Sequence, residues 1–213
     1  MYDTAPFRHV DIVGLSRTDV YLSPSKTFAI GVKGPDPDSV RISTRNDSLF
    51  IKTPKSKHAR YSVYIYAPEF ASVSGSLLHG LCSTDTIRQD SISITAIMVK
   101  KTQLILDVNR LAMPVVYGNK FTLSGRAAEA VINASYAHDL TIDASDLETE
   151  DVYLSAFESY IRLNVSNHLW LHDIFDSQII YTGTPQIMKC NIKWSIIKNP
   201  LFYYWKTQLF ERL

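Results

Sequence analysis

Four aromatic residues recur along the middle of the chain at a spacing close to twenty. They are Tyr117, Tyr136, Phe157 and Phe175, separated by 19, 21 and 18 residues. Facing outward, such a column forms an apolar strip that can stack on sugar rings or pack on a protein partner. Facing inward, the rings stack on one another in the core. We predict the inward arrangement, because most large aromatic residues in a regular β pattern are interior, and the outward strip remains the candidate binding site.

Acidic and amide residues form a second candidate set. In the register given by the aromatic residues, Asp143 falls over Asn164 and Asp146 over Asn167, each 21 residues later. Clustered carboxylates on a β-helix can bind a cation or act as acid and base in polysaccharide cleavage. Each coil here supplies one carboxylate and one amide, so we interpret the columns as side-chain ladders and turn caps. A polysaccharide-active enzyme is the alternative.

Histidine and cysteine spacing does not indicate a metal site. His168 and His172 are four residues apart, which on a strand is roughly 13 Å and too far for one ion. Cys82 and Cys190 lack metal-ligand spacing, and we predict two separate buried thiols, with one disulfide as the alternative. No phosphate-binding loop or nucleophile elbow is visible. The sequence therefore predicts no catalytic residue, no metal and no cofactor.

The elements that would position these residues repeat with them. Each aromatic residue is followed four residues later by a triplet with apolar ends, at 121–123, 140–142, 161–163 and 179–181. A period near twenty with alternation inside each copy predicts a β-solenoid, in which each coil buries its apolar face on the next. The predicted core has two columns: Leu140, Ile161 and Ile179 in one, and Ile142, Leu163 and Tyr181 in the other.

The rest of the chain completes one all-β domain. Residues 1–68 alternate apolar and polar positions between turn formers, which predicts an N-terminal region of half-buried antiparallel or entry-sheet strands. Residues 69–199 form the solenoid coils. Residues 200–213 change to helical spacing, with Pro200 suited to a first turn, and predict a short amphipathic helix. We expect it to cap the open end of the solenoid, with contact to a second copy of the chain or to a membrane surface as the alternative.

Composition bounds the function classes. The 213 residues are 46% hydrophobic, which indicates a globular chain with a real core. A net charge of +1 without long runs of one sign argues against a nucleic-acid or anionic-membrane surface. No window has the ~18 apolar residues of a membrane span. The first residues show no signal peptide, as expected also for a chain whose leader has been removed.

Several segments resemble a known bacterial family, the auto-transporter adhesin, head GIN domain family. They are Phe7-Arg-His-Val-Asp-Ile-Val-Gly, Asp19-Val-Tyr-Leu, Asp47-Ser-Leu-Phe-Ile, Val63-Tyr-Ile-Tyr-Ala-Pro68, Leu140-Thr-Ile-Asp-Ala-Ser-Asp-Leu147 and Ile180-Tyr-Thr-Gly-Thr-Pro-Gln-Ile187. The resemblance implies a β-helix-like solenoid in an exported bacterial protein located in the periplasm, outer membrane or cell surface. With the general preference of parallel crossovers, it implies a right-handed solenoid. It carries no catalytic residues.

The resemblance favours a non-enzymatic, adhesin-like module that binds a glycan or a protein partner. The alternatives are the polysaccharide-active enzyme and a structural scaffold without a ligand. The chain departs from the family where Gly-rich turns are usual, because it carries bulky residues at 135–138 and 156–159. A turn with positive φ is therefore not expected at those two places.

Overall fold

The computed structural model describes residues 2–135 and 140–200 as one sheet of seventeen strands. The strands, in chain order, are β1 (Tyr2–Asp3), β2 (His9–Val13), β3 (Arg17–Pro24), β4 (Ala29–Lys33), β5 (Arg41–Arg45), β6 (Ser48–Lys52), β7 (Arg60–Ala67), β8 (Ser72–Ser76), β9 (Gly80–Ser83), β10 (Ile87–Ile97), β11 (Lys101–Val116), β12 (Lys120–Ser135), β13 (Leu140–Phe157), β14 (Ser159–Phe175), β15 (Gln178–Thr182), β16 (Gln186–Lys193) and β17 (Ile196–Lys198). Within 2–135 and 140–199, the single helical element is a 3-10 turn, Pro37–Ser39. In the described part of the chain, no helix has the length and apolar composition needed to cross a membrane.

The parallel strands stack into a β-solenoid with three faces. Strand β11 shows the division: residues 101–103 pair with β9, 106–110 with the start of β10, and 112–116 with the end of β10. We call these the first, second and third face. The same three segments continue through β12, β13 and β14. The predicted solenoid is thus confirmed, while its right-handedness stays a prediction.

Inward side chains fill the solenoid, as the alternating sequence requires. One column runs Phe121, Ile142, Ile161 and Ile179, all fully buried. The predicted pairs of Ile161 with Ile179 and of Leu163 with Tyr181 are confirmed.

The predicted register between β13 and β14 is wrong by two residues. Ile142 pairs with Ile161, in place of Leu140, and Ala144 pairs with Leu163, in place of Ile142. A shift of two keeps every side chain on its face, so the hydrophobic pattern cannot distinguish the two registers.

The N-terminal strands are already part of the solenoid. β2 lies between β6 and β8, and β3 lies between β7 and β9, all in parallel pairings. The antiparallel direction that we predicted for this region is wrong for these strands. It holds for β4, which pairs with β7, and for β5, which pairs with β6. β4 and β5 thereby cover the strand edge of the first coil, an edge that would otherwise recruit other chains.

The opposite end of the solenoid is formed by β16 and β17. Their inward residues Ile187, Ile192 and Ile197 pack on the core but stay partly exposed. The helix predicted for residues 200–213 lies outside the described residues except for Pro200. Its capping role and the alternative contact with a second copy stay predictions.

Candidate functional site

Aromatic side chains gather on the third face near the C-terminal end of the solenoid. Tyr153 and Phe157 point outward from β13, and the parallel register places Trp170 and Phe175 of β14 beside them. Met188 of β16 follows Trp170, and Trp194 lies at the next corner. We call this group the aromatic surface: Tyr153, Phe157, Trp170, Phe175, Met188 and Trp194.

The rings of the aromatic surface stack along the solenoid axis. The Tyr153 and Trp170 rings lie 4.2 Å apart at 3°, and the Phe157 and Phe175 rings lie 4.8 Å apart at 7°. Both distances are close to the strand spacing of about 4.8 Å. Each stack contributes about 0.5–1.5 kcal/mol beyond its buried area. Because each ring covers one face of its neighbour, ring edges make up much of what the stacks present to solvent.

Polar groups separate the two stacks. Ser155 lies between Tyr153 and Phe157 on β13, and His172 and Asp173 lie between the rings of β14. His172 Nδ1 is 2.8 Å from Asp173 Oδ2. The surface thus has two apolar ridges with a polar strip between them. Protein–protein interfaces likewise combine apolar area with polar groups.

The predicted aromatic column forms in part, but its described members do not lie in the interior. Phe157 and Phe175 stack, but they are half-exposed on the third face, so the predicted interior position is wrong for both. Tyr117 is 56% exposed at a corner with a φ of 53°, and its interior position is wrong as well. Tyr136 lies outside the described residues.

Sequence reasoning missed Tyr153, Trp170 and Trp194. Tyr153 precedes Phe157 by four residues and Trp170 precedes Phe175 by five, so each pair lies on one side of a strand when a bulge takes up the extra residue. The register of β13 and β14 has that irregularity between Leu154 and Ala156. A search for aromatic residues four or five positions before the predicted column would have found the first two.

Several carboxylates on the remaining faces form ion pairs or hydrogen bonds with the neighbouring coil. The predicted registers of Asp143 over Asn164 and Asp146 over Asn167 are wrong: in the β13–β14 ladder Asp143 lies opposite Arg162, and Asn164 lies opposite Glu148. Asn167 Nδ2 donates to Asp151 at 2.9 Å. On the second face, ion pairs join neighbouring coils, Arg110 to Glu129 at 3.0 Å and Arg126 to Glu150 at 2.8 Å.

Asp143 has the opposite electrostatics to a general acid. Partial burial acts to raise its pKa, but hydrogen bonds from the Ser145 hydroxyl and N–H and the nearby Arg162 hold the pKa below its usual value. A carboxylic acid that donates a proton near neutral pH needs a raised pKa. The solenoid ladder at Asp143 therefore does not resemble an acid–base pair.

The two histidines have separate partners. His168 Nδ1 is 2.9 Å from Asp151 Oδ1, on the coil before it. Residues 168 and 172 lie on one strand, as predicted, and each contacts its own carboxylate. Among the residues that the structure describes, no group of three or more His, Cys, Asp or Glu side chains could hold a metal ion.

The two cysteines are separate, as predicted, but they are not both buried. Cys82 is half-buried on the first face, and Cys190 is exposed on β16. Burial, the largest influence, raises the pKa of the Cys82 thiol, while Lys101 acts to lower it.

This difference predicts unequal reactivity toward a disulfide reagent. Without reductant, DTNB should titrate two thiols in the native protein, and Cys190 should react first because the thiolate is the nucleophile and Cys82 is disfavoured in that form. The Cys190→Ser variant should lose the fast phase and keep the slow one. Zero thiols before denaturation would show a disulfide in solution and contradict the free cysteines.

The sequence profile of one family, described as "Putative auto-transporter adhesin, head GIN domain", matches residues 7–185. The chain belongs to this family. No curated protein matches the chain at a significant level. The GIN-domain family has no known enzymatic activity.

Solved structures share the GIN-domain fold at low sequence identity. A crystal structure from Bacteroides fragilis, titled a "putative adhesin", has a TM-score of 0.69 and 19% identity, covering 92% of each chain. A "putative adhesin" from Parabacteroides distasonis has a TM-score of 0.62 and 15% identity, covering 92% of this chain and 94% of its own. A "Putative lipid binding protein" from the same species has a TM-score of 0.61 and 13% identity, covering 91% and 92%. These similarities establish the fold.

Proposed function

We propose that this GIN-domain chain is a non-enzymatic, adhesin-like binding module of an exported bacterial protein, and that its aromatic surface binds a protein partner. The observation that carries the proposal is the ring geometry on the third face. Family membership supports the adhesin-like role and an exported location. The paired carboxylates of the second face and the pKa of Asp143 give no support to the polysaccharide-active enzyme.

Ring geometry favours a protein over a glycan. A sugar stacks on the face of an aromatic ring, but one face of each of Tyr153, Trp170, Phe157 and Phe175 is covered by its partner in the stack. Exposed ring edges on a strand face form a flat apolar area instead. Aromatic residues and Met are enriched in the centres of protein interfaces, where they anchor the contact.

The size of the aromatic surface sets the expected affinity. Three coils and five residues of strand give about 14 Å by 17 Å, or ~240 Å² in plan. A stable interface buries about 800 Å² per partner, so the polar surroundings must contribute and a single contact is weak. Adhesion by such a module depends on many copies acting together on one surface.

Glycan binding is the second candidate, on a different observation. Trp194 is 80% exposed, and its ring meets Phe175 at 59° and 5.1 Å, so no parallel ring covers the faces of the indole. A pyranose could stack there. A structural scaffold without a ligand is the third alternative, and it requires neither the ring stacks nor Trp194 to bind.

Bead adhesion separates these candidates. Beads that carry the protein are applied to plates coated with fibrinogen, collagen, mucin or bacterial polysaccharide. We expect adhesion to a protein coat that trypsin removes and that periodate, which cleaves sugar diols, leaves intact. Adhesion lost after periodate and in Trp194→Ala would favour the glycan. Reducing ends released from the polysaccharide would overturn the non-enzymatic assignment, and adhesion to none of the coats would favour the scaffold.

Trp170→Ala should weaken adhesion strongly. Truncating a central aromatic anchor costs 2 kcal/mol or more, about 30-fold in affinity. Tyr64→Ala is the matched control, because Tyr64 stacks on Tyr21 at 4.8 Å and 14° on the first face. Both variants lose one ring stack, so their melting temperatures should fall alike. Equal adhesion by the two variants would show that the third face is not the binding surface.

A further inference from the structure

Six basic side chains meet at one corner near the N-terminal end of the solenoid. They come from β3, β5, β6, β7 and the loop between β6 and β7. We call the group the basic corner: Arg17, Arg41, Lys52, Lys55, Lys57 and Arg60. All six are exposed.

Strand pairing forces like charges together in the basic corner. Arg41 lies directly opposite Lys52 in the antiparallel pair of β5 and β6. Arg17 lies opposite Arg60 in the parallel pair of β3 and β7. Like charges directly opposite each other destabilise a sheet. Two such pairs at one corner are unfavourable unless an anion joins them.

None of these groups forms an ion pair with a described carboxylate. Across residues 2–135 and 140–200, none of the six side chains makes an ion pair. Arginines elsewhere do so: Arg8 with Glu69, Arg88 with Asp107 and Arg162 with Asp143 are three of five such pairs. Arginines on the first and second faces and beside β2 thus pair with carboxylates, whereas the six side chains of the basic corner form no ion pair with a described residue.

A depression at the basic corner provides room for an anionic group. It has a volume of about 630 Å³ and is lined by Arg41, Lys52 and Lys55, with Asp38 as its one acidic residue. Its base is rigid, because the buried Thr53 Oγ1 accepts a hydrogen bond from the Leu15 N–H at 3.0 Å.

We propose that the basic corner binds an anionic polysaccharide through its sulfate or phosphate ester groups. The depression takes one ester group, and Lys57, Arg60 and Arg17 continue the positive surface around the corner for the next. A net charge of +1 gives no long-range attraction for any polyanion, so binding depends on the local cations of the basic corner. The site is separate from the aromatic surface and does not depend on the function proposed for it.

The test measures affinity for dextran sulfate in gels, with neutral dextran, duplex DNA and inorganic sulfate as comparisons. We expect retardation by dextran sulfate that weakens with added salt, and none by neutral dextran. The triple variant Arg41→Gln, Lys52→Gln, Lys55→Gln should bind about tenfold more weakly. The control Lys189→Gln, Lys193→Gln, Lys198→Gln removes the same charge at the other end of the solenoid, where all three lysines are exposed, and should bind like wild type.

Three results would overturn the proposal. Equal weakening in both triple variants would show a net-charge effect, and DNA binding as tight as dextran sulfate would show non-specific attraction. Full competition by millimolar sulfate at constant ionic strength would show an ion site only. Folding is checked separately: Lys52→Gln removes the repulsion with Arg41, so it should melt no lower than wild type in chloride, and sulfate should raise its melting temperature less.

Discussion

Leu163→Asp should abolish the cooperative unfolding transition of the C-terminal coils. Leu163 is 2% exposed and lies between Ala144 and Tyr181 in the stacked core. The substitution loses about 1.5–3 kcal/mol of apolar burial. It also buries a carboxylate without a partner, which costs several kcal/mol more. The sum approaches the 5–15 kcal/mol that holds a typical domain together.

Circular dichroism during heating provides the measurement for Leu163→Asp. The control is Gln103→Asp, which places the same charge on an exposed, outward position of the first face, and it should melt like wild type. Because each coil of a solenoid is stabilised chiefly by its neighbours, the signal lost should correspond to the coils around β14, while the N-terminal coils can persist. A Leu163→Asp protein that melts with wild-type cooperativity would show that residue 163 does not face the core.

The architecture could be predicted because period and alternation are local properties of the sequence. Ile161 over Ile179 follows directly from a spacing of 18 residues with apolar alternation. The register between Ile142 and Ile161 could not be predicted, because a shift of two residues keeps the same side chains inward. Beyond this pair, the bulge between Ala144 and Glu148 changes the register again. A bulge adds residues without changing which side chains are apolar.

Corner conformations were mispredicted because tertiary packing outweighs intrinsic preference. We expected no positive φ at 156–159, yet Glu158 has a φ of 50°. Its N–H donates to the Phe175 carbonyl at 3.0 Å, and Met98 at another corner makes the same kind of bond to Val116 at 2.9 Å. A left-handed residue costs roughly 1–2 kcal/mol, which the hydrogen bond and the stacking of whole coils offset.

Only part of each candidate site could be predicted from the sequence. The spacing of Phe157 and Phe175 predicted that they lie over each other. It did not predict whether they face inward or outward, because that depends on which of the two alternating sets of side chains on the strand is buried. The basic corner was only partly visible, because Lys52, Lys55, Lys57 and Arg60 fall within nine residues but Arg17 and Arg41 are far from them along the chain. Strand pairing alone brings them together.

The corner residues with positive φ are of two kinds, which differ in the room available for a side chain. Met98 is 51% exposed at a φ of 55°, so its side chain has room in solvent. Gly125 has a φ of 98°, and a Cβ there would lie 2.0 Å from the carbonyl oxygen of Leu106 on the coil before it. Gly183 repeats this arrangement against Val165, also at 2.0 Å. In these two glycines, the absent side chain is what lets the coils approach.

Gly125→Ala should therefore destabilise the protein severely. The methyl group would push β12 away from β11, weakening ladder hydrogen bonds worth about 0.5–1.5 kcal/mol each, and the φ itself adds about 1–3 kcal/mol of strain. A loss of about 3 kcal/mol lowers the melting temperature by roughly 10 °C in a domain of this size.

Gly31→Ala is the control. The nearest atom to a Cβ at Gly31 would be 3.5 Å away, so this variant should melt like wild type. Gly183→Ala should cost less than Gly125→Ala, since the terminal coils open more easily than central ones. If Gly125→Ala has the same melting temperature as Gly31→Ala, the close approach of the two coils at Leu106 is wrong.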